Sequence, residues 1–255
     1  MVHDIFSPPV ASRIYLYTNI AAYEVLVRAW PGKHRSLHGQ IYGFPDLPAP
    51  RGTVDGGLSA VCAFLLVGKK LLFSEAVVED SLRAILAGFK HNATYEASLR
   101  YGRQAADSVI AWADKDQYKE TRKLPRYRFM KKEGKWIPTP PAYMSAVEPY
   151  WNRIRTVVLD SASQFRPAPP VEFSKDSASA FYRQAYEVYE VGNHLTTSQK
   201  DVANFWDCNP FAVTMEGHLN YAVKKISPGG HWISIVAIAA RKKKPICWSL
   251  HCSIP

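Results

Sequence analysis

The string Pro-Gly-Gly-His-Trp, from Pro228 to Trp232, is the most unusual local pattern in this sequence. Glycines before a helix leave backbone N–H groups free, and such groups form a natural cradle for an anion. His231, at the start of that helix, would then be an acid–base group. The alternative, which we favour, is that the glycines form a turn while His231 and Trp232 pack into the core. His231 is the one candidate site residue in this chain.

Two other histidines, His34 and His38, have a spacing that would place two metal ligands on one face of a helix. They lie between Pro31-Gly32 and Gly39, which argues against a helix there, and only Asp46 is near enough to extend a ligand set. The pattern is more typical of a polar loop than of a metal site.

The four cysteines are too few for a disulfide framework in a chain of 255 residues. Cys62 lies in the apolar run 58–67 and is interpreted as a small buried hydrophobic residue. Cys247 and Cys252 flank His251, but a four-residue gap at a chain end is a weak zinc signal. The sequence therefore predicts no metal site.

Local motifs of common enzyme classes are absent. The sequence contains no Gly-x-Ser-x-Gly, Walker-type loop, dinucleotide fingerprint or His-Glu-x-x-His. Its paired carboxylates, Glu79-Asp80 and Glu187 with Glu190, fall on the polar sides of predicted helices, where solvated charges are expected.

Composition indicates an ordinary globular protein, with 47% hydrophobic and 21% charged residues. The net charge of +10 favours anionic partners, so small anions are expected to bind. No recognisable nucleic-acid-binding motif accompanies the charge, and nucleic acid is not a predicted partner. The longest apolar stretch, 58–73, is interrupted by Gly68-Lys69-Lys70 and falls short of the ~20 residues that span a bilayer. Met1 is not followed by the apolar segment of a secretory signal.

Apolar residues recur at helical spacing along most of the chain, which predicts a mostly α fold. Residues 115–141 are basic, aromatic and proline-containing, and are expected to form a short hairpin or an irregular arm. The predicted helices cover residues 11–30, 57–67, 74–88, 93–114, 174–191, 197–206, 211–223 and 231–240.

Five sequence blocks, in this order and spacing, resemble bacterial vanadium-dependent haloperoxidase-like proteins of the phosphatidic acid phosphatase type 2 superfamily. Each block is weak alone, but together they span residues 4 to about 240. The blocks are residues 4–24, 136–141, 164–170, 205–210 and 228–232.

The resemblance implies an all-helical bundle whose anion site holds vanadate in haloperoxidases or a phosphoryl group in related acid phosphatases. The implied activity is halide oxidation with peroxide, or phosphate-ester hydrolysis. The implied location is the periplasm or cell envelope, although no signal peptide is visible in this chain.

The family's three anion-binding motifs are Lys-x6-Arg-Pro, Pro-Ser-Gly-His and Ser-Arg-x5-His. Here the only Arg-Pro begins at Arg166, and Leu159 stands where the lysine belongs. The string at 228–231 has Gly229 in place of the serine, and Arg241 has no histidine six positions later. The sequence therefore predicts no catalytic, cofactor-binding or metal-binding residue apart from the candidate His231, and no vanadate held by this chain alone.

Residues 1–240 are accordingly expected to be the N-terminal helical portion of a haloperoxidase-like domain, incomplete at its C-terminus, and 241–255 an out-of-family tail. The abrupt change near Lys244 suggests a lost reading frame. A bundle cut midway exposes apolar surface, so one alternative function is a helical scaffold or interaction protein that binds a partner or itself. Anion binding through the basic arm is the other alternative.

Overall fold

Three long helices form the core of the protein, and shorter elements are arranged around them. The computed structural model describes residues 4, 6–140, 143–209, 212–216, 219–223 and 226–243. In chain order the helices are α1 (Pro8–Ala29), α2 (Gly56–Leu71), α3 (Glu75–Leu86), α4 (Ala93–Ala113), α5 (Tyr118–Thr121), α6 (Ala180–Asn193), α7 (Thr197–Trp206) and α8 (Pro228–Lys243). One 3-10 turn, Trp151–Arg153, lies between α5 and α6.

The core lies where α1, α2 and α4 pack against one another. Helix α1 buries Ile14, Tyr17, Ala21 and Val25, which recur at helical spacing along one side of it. Helix α4 has an amphipathic sequence, because the residues that it buries recur at helical spacing. Cys62 is buried, which confirms its interpretation as a small core residue.

Side-chain caps explain where several helices begin. Asp55 accepts a hydrogen bond from the Leu58 N–H at 3.0 Å, and Asn92 accepts one from the Tyr95 N–H at 2.8 Å. Helix α7 begins with a capping box that the Thr196 and Gln199 side chains form.

The loop between α1 and α2 is attached to the core, although its composition suggested only a polar loop. Glu24, fully buried on α1, accepts a hydrogen bond from the Leu37 N–H at 2.9 Å. Phe44 and Leu47 of the loop are buried. The His38 Nδ1 atom lies 3.0 Å from the Phe44 carbonyl oxygen. Within the described ranges, no three His, Cys, Asp or Glu side chains are grouped to hold a metal ion.

The basic arm is irregular beyond α5, and its residues 122–140 contain no strand. The arm is held together by aromatic contacts: the Trp136 ring lies 6.1 Å from that of Tyr127 and 6.4 Å from that of Phe129, measured between centroids. Of the two forms expected for this segment, the irregular one is observed.

The helix predicted over residues 211–223 is wrong. This segment forms two antiparallel strands, β1 (Ala212–Glu216) and β2 (Leu219–Val223), in which Glu216 pairs with Leu219. Valine, threonine and tyrosine favour strands, and only two residues, Gly217 and His218, separate the two runs, a length typical of a hairpin loop.

The C-terminal helices leave many apolar side chains exposed. Among the residues that the structure describes, neither α6 nor α7 contains a buried one, and the start of α8 packs against α1 and the end of α7. Exposed large apolar side chains are Tyr182, Tyr186, Val188, Tyr189 and Val191 on α6, Val202, Phe205 and Trp206 on α7, and Trp232, Ile233, Val236 and Ile238 on α8. We call this set the α6–α8 apolar surface.

Candidate functional site

His231 lies in the first turn of α8, and Ser227 organises that turn. The Ser227 carbonyl oxygen accepts the His231 N–H at 3.0 Å, and the Ser227 hydroxyl accepts the Gly230 N–H at 3.3 Å. Pro228 follows as the first helical residue, where a missing N–H is tolerated. Two of the backbone donors that would form an anion cradle are therefore already used within the turn.

The two glycines are required by the approach of α8 to α1. A Cβ atom on Gly230 would lie 2.8 Å from the Tyr15 hydroxyl oxygen, and one on Gly229 would lie 3.1 Å from the Tyr15 ring. The Tyr15 and Ser227 hydroxyl oxygens are 3.3 Å apart. Close packing between helices thus explains the glycines without a ligand.

The imidazole of His231 is held by three side chains from the end of α7. Its Nδ1 atom lies 2.9 Å from the Cys208 Sγ atom. The Trp206 ring stacks on it with centroids 5.2 Å apart and an interplanar angle of 27°, and Phe205 makes an edge contact at 5.3 Å. The sequence does not reveal this pair, because the two strands separate Cys208 from His231 along the chain.

A cavity of about 360 Å³ opens beside the imidazole. It is lined by Pro8, Trp206, Asp207, Cys208, Asn209, Pro228, His231 and Trp232. The prediction that Trp232 packs into the core is wrong: its side chain is 60% exposed and its ring is tilted against that of Trp206 at 6.0 Å. His231 itself is half-buried at the wall of the cavity rather than inside the core.

A second polar cluster, centred on Asp116, joins distant parts of the chain. Its carboxylate accepts hydrogen bonds from Arg13 Nε at 2.6 Å, from the Tyr17 hydroxyl at 2.8 Å and from the Tyr118 N–H at 2.9 Å. Arg155 donates to the Tyr17 hydroxyl oxygen at 3.2 Å. Burial, and then the adjacent Asp116 carboxylate, raise the pKa of Tyr17 well above its ordinary value. Because these groups bind one another, the cluster is a structural ion pair.

Comparison with known proteins decides the family. No protein-family model matches the sequence, and no curated protein matches it. The crystal structure of a bacterial vanadium-dependent iodoperoxidase matches with a TM-score of 0.85 and 44% sequence identity, over 96% of this chain and 59% of that chain. The chain belongs to the vanadium haloperoxidase-like proteins. The family resemblance and the mostly α bundle are thereby confirmed.

This haloperoxidase-like chain spans 59% of the length of the iodoperoxidase that it matches. Within the ranges that the structure describes, every helix is too short or too polar to cross a membrane.

The residues around His231 do not fit vanadate, the oxyanion of the haloperoxidase relatives. A bound oxyanion needs cations and hydrogen-bond donors around it. The described residues that line the cavity include no lysine or arginine, and Asp207 brings a carboxylate instead. The N–H groups of Gly230 and His231 donate to Ser227, and the Nδ1 atom of His231 lies against Cys208. The described residues around His231 therefore do not form a vanadate site.

The basic arm of the haloperoxidase-like chain surrounds a larger cavity, of about 760 Å³. Lys131, Lys132 and Lys135 line it together with the Phe129 and Phe173 rings. Glu133 also lines the cavity and forms an ion pair with Lys175, which offsets part of the positive charge. These surface lysines would attract small anions without fixing them in one geometry.

Proposed function

We propose that this chain is the N-terminal helical part of a vanadate-dependent haloperoxidase, and that it supports an oxyanion site formed by residues outside it. The match to the iodoperoxidase carries this proposal, because it includes nearly all of this chain but only 59% of the other one. Halide oxidation with peroxide is favoured over phosphate-ester hydrolysis, because the matched protein is an iodoperoxidase. A location in the periplasm or cell envelope, and an out-of-family tail at 241–255, belong to the same proposal.

The α6–α8 apolar surface supports this assignment. Soluble monomers rarely expose contiguous apolar patches larger than a few hundred Å². Here the exposed rings of Tyr182, Tyr186 and Tyr189 lie side by side along α6. In a longer haloperoxidase, further helices would cover these side chains and bring the cations of the oxyanion site with them.

The 255-residue chain alone is expected to lack catalysis, because the described residues that line the cavity at His231 include no lysine or arginine to hold an oxyanion. The purified chain would be incubated with vanadate, peroxide and either iodide or bromide, and separately with a chromogenic phosphate ester. We expect background rates in every assay. Vanadate-dependent turnover that co-elutes with the chain in gel filtration would contradict the proposal.

A second function, a self-associating helical scaffold, is favoured by the same exposed side chains. Tyr182, Tyr186 and Tyr189 form a ladder along α6, with neighbouring ring centroids 6.2 Å apart. Light scattering after size exclusion is expected to show a dimer or larger species. The Val188→Lys variant should shift the distribution towards monomer, whereas Val158→Lys, at another exposed valine outside this surface, should leave it unchanged. A monomeric wild-type chain at all concentrations would contradict this function.

A further inference from the structure

We infer that Cys208 and His231 form a reactive thiol–imidazole pair, in which Cys208 is a site of modification by hydrogen peroxide. The inference does not depend on the proposed function, since the pair lies wholly within this chain.

The Cys208 thiol and the His231 imidazole lie within hydrogen-bond reach of each other. A thiol reacts as its thiolate, and a base within hydrogen-bond reach activates it. The Sγ–Nδ1 distance of 2.9 Å places the imidazole where it takes the thiol proton directly. The other described cysteine, Cys62, is buried in the core, and burial raises the pKa of its thiol.

The second support is that the imidazole is fixed. Trp206 stacks on one face of the ring and Phe205 contacts it edge-on. The backbone of His231 is anchored through its N–H to the Ser227 carbonyl oxygen. A histidine held in this way keeps its Nδ1 atom directed at the sulfur, so that little ordering is needed when the thiol reacts.

The third support is access. Cys208 is partly exposed and lines the cavity of about 360 Å³, which is open to solvent and large enough for a small neutral oxidant. Reactive cysteines are characteristically exposed and paired with a base, whereas buried structural cysteines are inert. Hydrogen peroxide fits these requirements, because it is small, uncharged and contains a weak O–O bond.

The reaction needs only the Cys208 thiol, the His231 imidazole and hydrogen peroxide. The Cys208 thiol proton passes to His231 Nδ1, and the sulfur lone pair attacks one oxygen of hydrogen peroxide. An S–O bond forms, the O–O bond breaks, and the departing hydroxide takes the proton from His231 and leaves as water. The sulfur is oxidised by two electrons, the peroxide is reduced by two, and Cys208 becomes a sulfenic acid.

The test is peroxide treatment of the whole chain with dimedone as the sulfenic-acid trap, followed by peptide mass spectrometry that separates all four cysteines. We expect dimedone on Cys208 to appear about tenfold or more faster than on Cys62, and to fall about tenfold or more in His231→Gln, because the base is lost. Val236→Ala, at an exposed residue on the same helix that does not line the cavity, should retain the fast labelling. A native chain in which Cys208 reacts no faster than Cys62 would overturn the inference, as would a folded His231→Gln variant with unchanged labelling.

If His231→Gln does not fold, the wild type in urea replaces it. The faster labelling of Cys208 relative to Cys62 must then disappear on unfolding, and its persistence in urea would overturn the inference equally.

Discussion

The Asp116→Asn variant is expected to lose about 3–5 kcal/mol of unfolding free energy, because it leaves the buried Arg13 guanidinium without its counter-charge. The two side chains are 8% and 1% exposed, so water cannot replace the lost partner. Asp116 also accepts the Tyr17 hydroxyl, and its carbonyl oxygen accepts the Arg155 N–H at 2.9 Å. The carboxylate thus fastens α1 to the residues after α4, whereas the backbone bond to the segment at 155 is kept in the variant. Urea denaturation followed by circular dichroism measures the loss.

Asp114→Asn is the matched control for that variant, two residues away. Asp114 pairs with Lys119 at 2.8 Å, but both side chains are largely exposed. Exposed ion pairs contribute little, so its unfolding midpoint should stay close to that of the wild type. Equal destabilisation by the two variants would show that the Asp116 cluster does not hold these segments together.

Gly102→Ala is expected to destabilise the protein by about 1–3 kcal/mol, because it overpacks the contact between α2 and α4. A Cβ atom at Gly102 would lie 2.6 Å from the Ser59 carbonyl oxygen and 2.8 Å from the Cys62 Cβ atom. The first neighbour is a backbone oxygen of α2, and the second is a Cβ atom attached directly to the α2 backbone. Neither can move unless the helix moves. Thermal or urea unfolding measures the change.

Gly192→Ala should have the opposite sign, although it is the same substitution in another helix. Nothing lies within 4 Å of a Cβ atom built there, near the end of α6. Alanine restricts the unfolded chain more than glycine does, so stability should rise by about 0.4–1 kcal/mol. If both variants shifted stability in the same direction, the close approach of α2 and α4 would not be the reason that Gly102 is a glycine.

Periodicity predicted the helices well where one face is consistently apolar. Helix α4 was expected at 93–114 and is observed at Ala93–Ala113, and α7 was expected and observed at residues 197–206. The helix predicted at 211–223 is wrong for a physical reason. The apolar residues of this segment fit the helical period and the strand period equally, and the two-residue break at Gly217-His218, which is typical of a hairpin, is the stronger signal.

The polar clusters could not be predicted, because they depend on contacts between distant segments. Arg13 and Asp116 are 103 residues apart, and no local spacing relates them. Cys208 and His231 lie in two separate family blocks, and no local spacing predicts their contact. The glycines at 229 and 230, for which the sequence left an anion cradle open as the less favoured interpretation, are explained by the close approach of Tyr15, which only the structure shows.

The central claim is that this chain supports an oxyanion site that other residues supply, and a fusion protein tests it most directly. Residues 1–243 would be joined to the part of the iodoperoxidase that this chain does not cover. The account predicts that the fusion oxidises iodide with peroxide only when vanadate is present, while the 255-residue chain alone remains at background. A fusion that folds and binds vanadate but oxidises no iodide would contradict the account, and so would equal turnover by the chain alone.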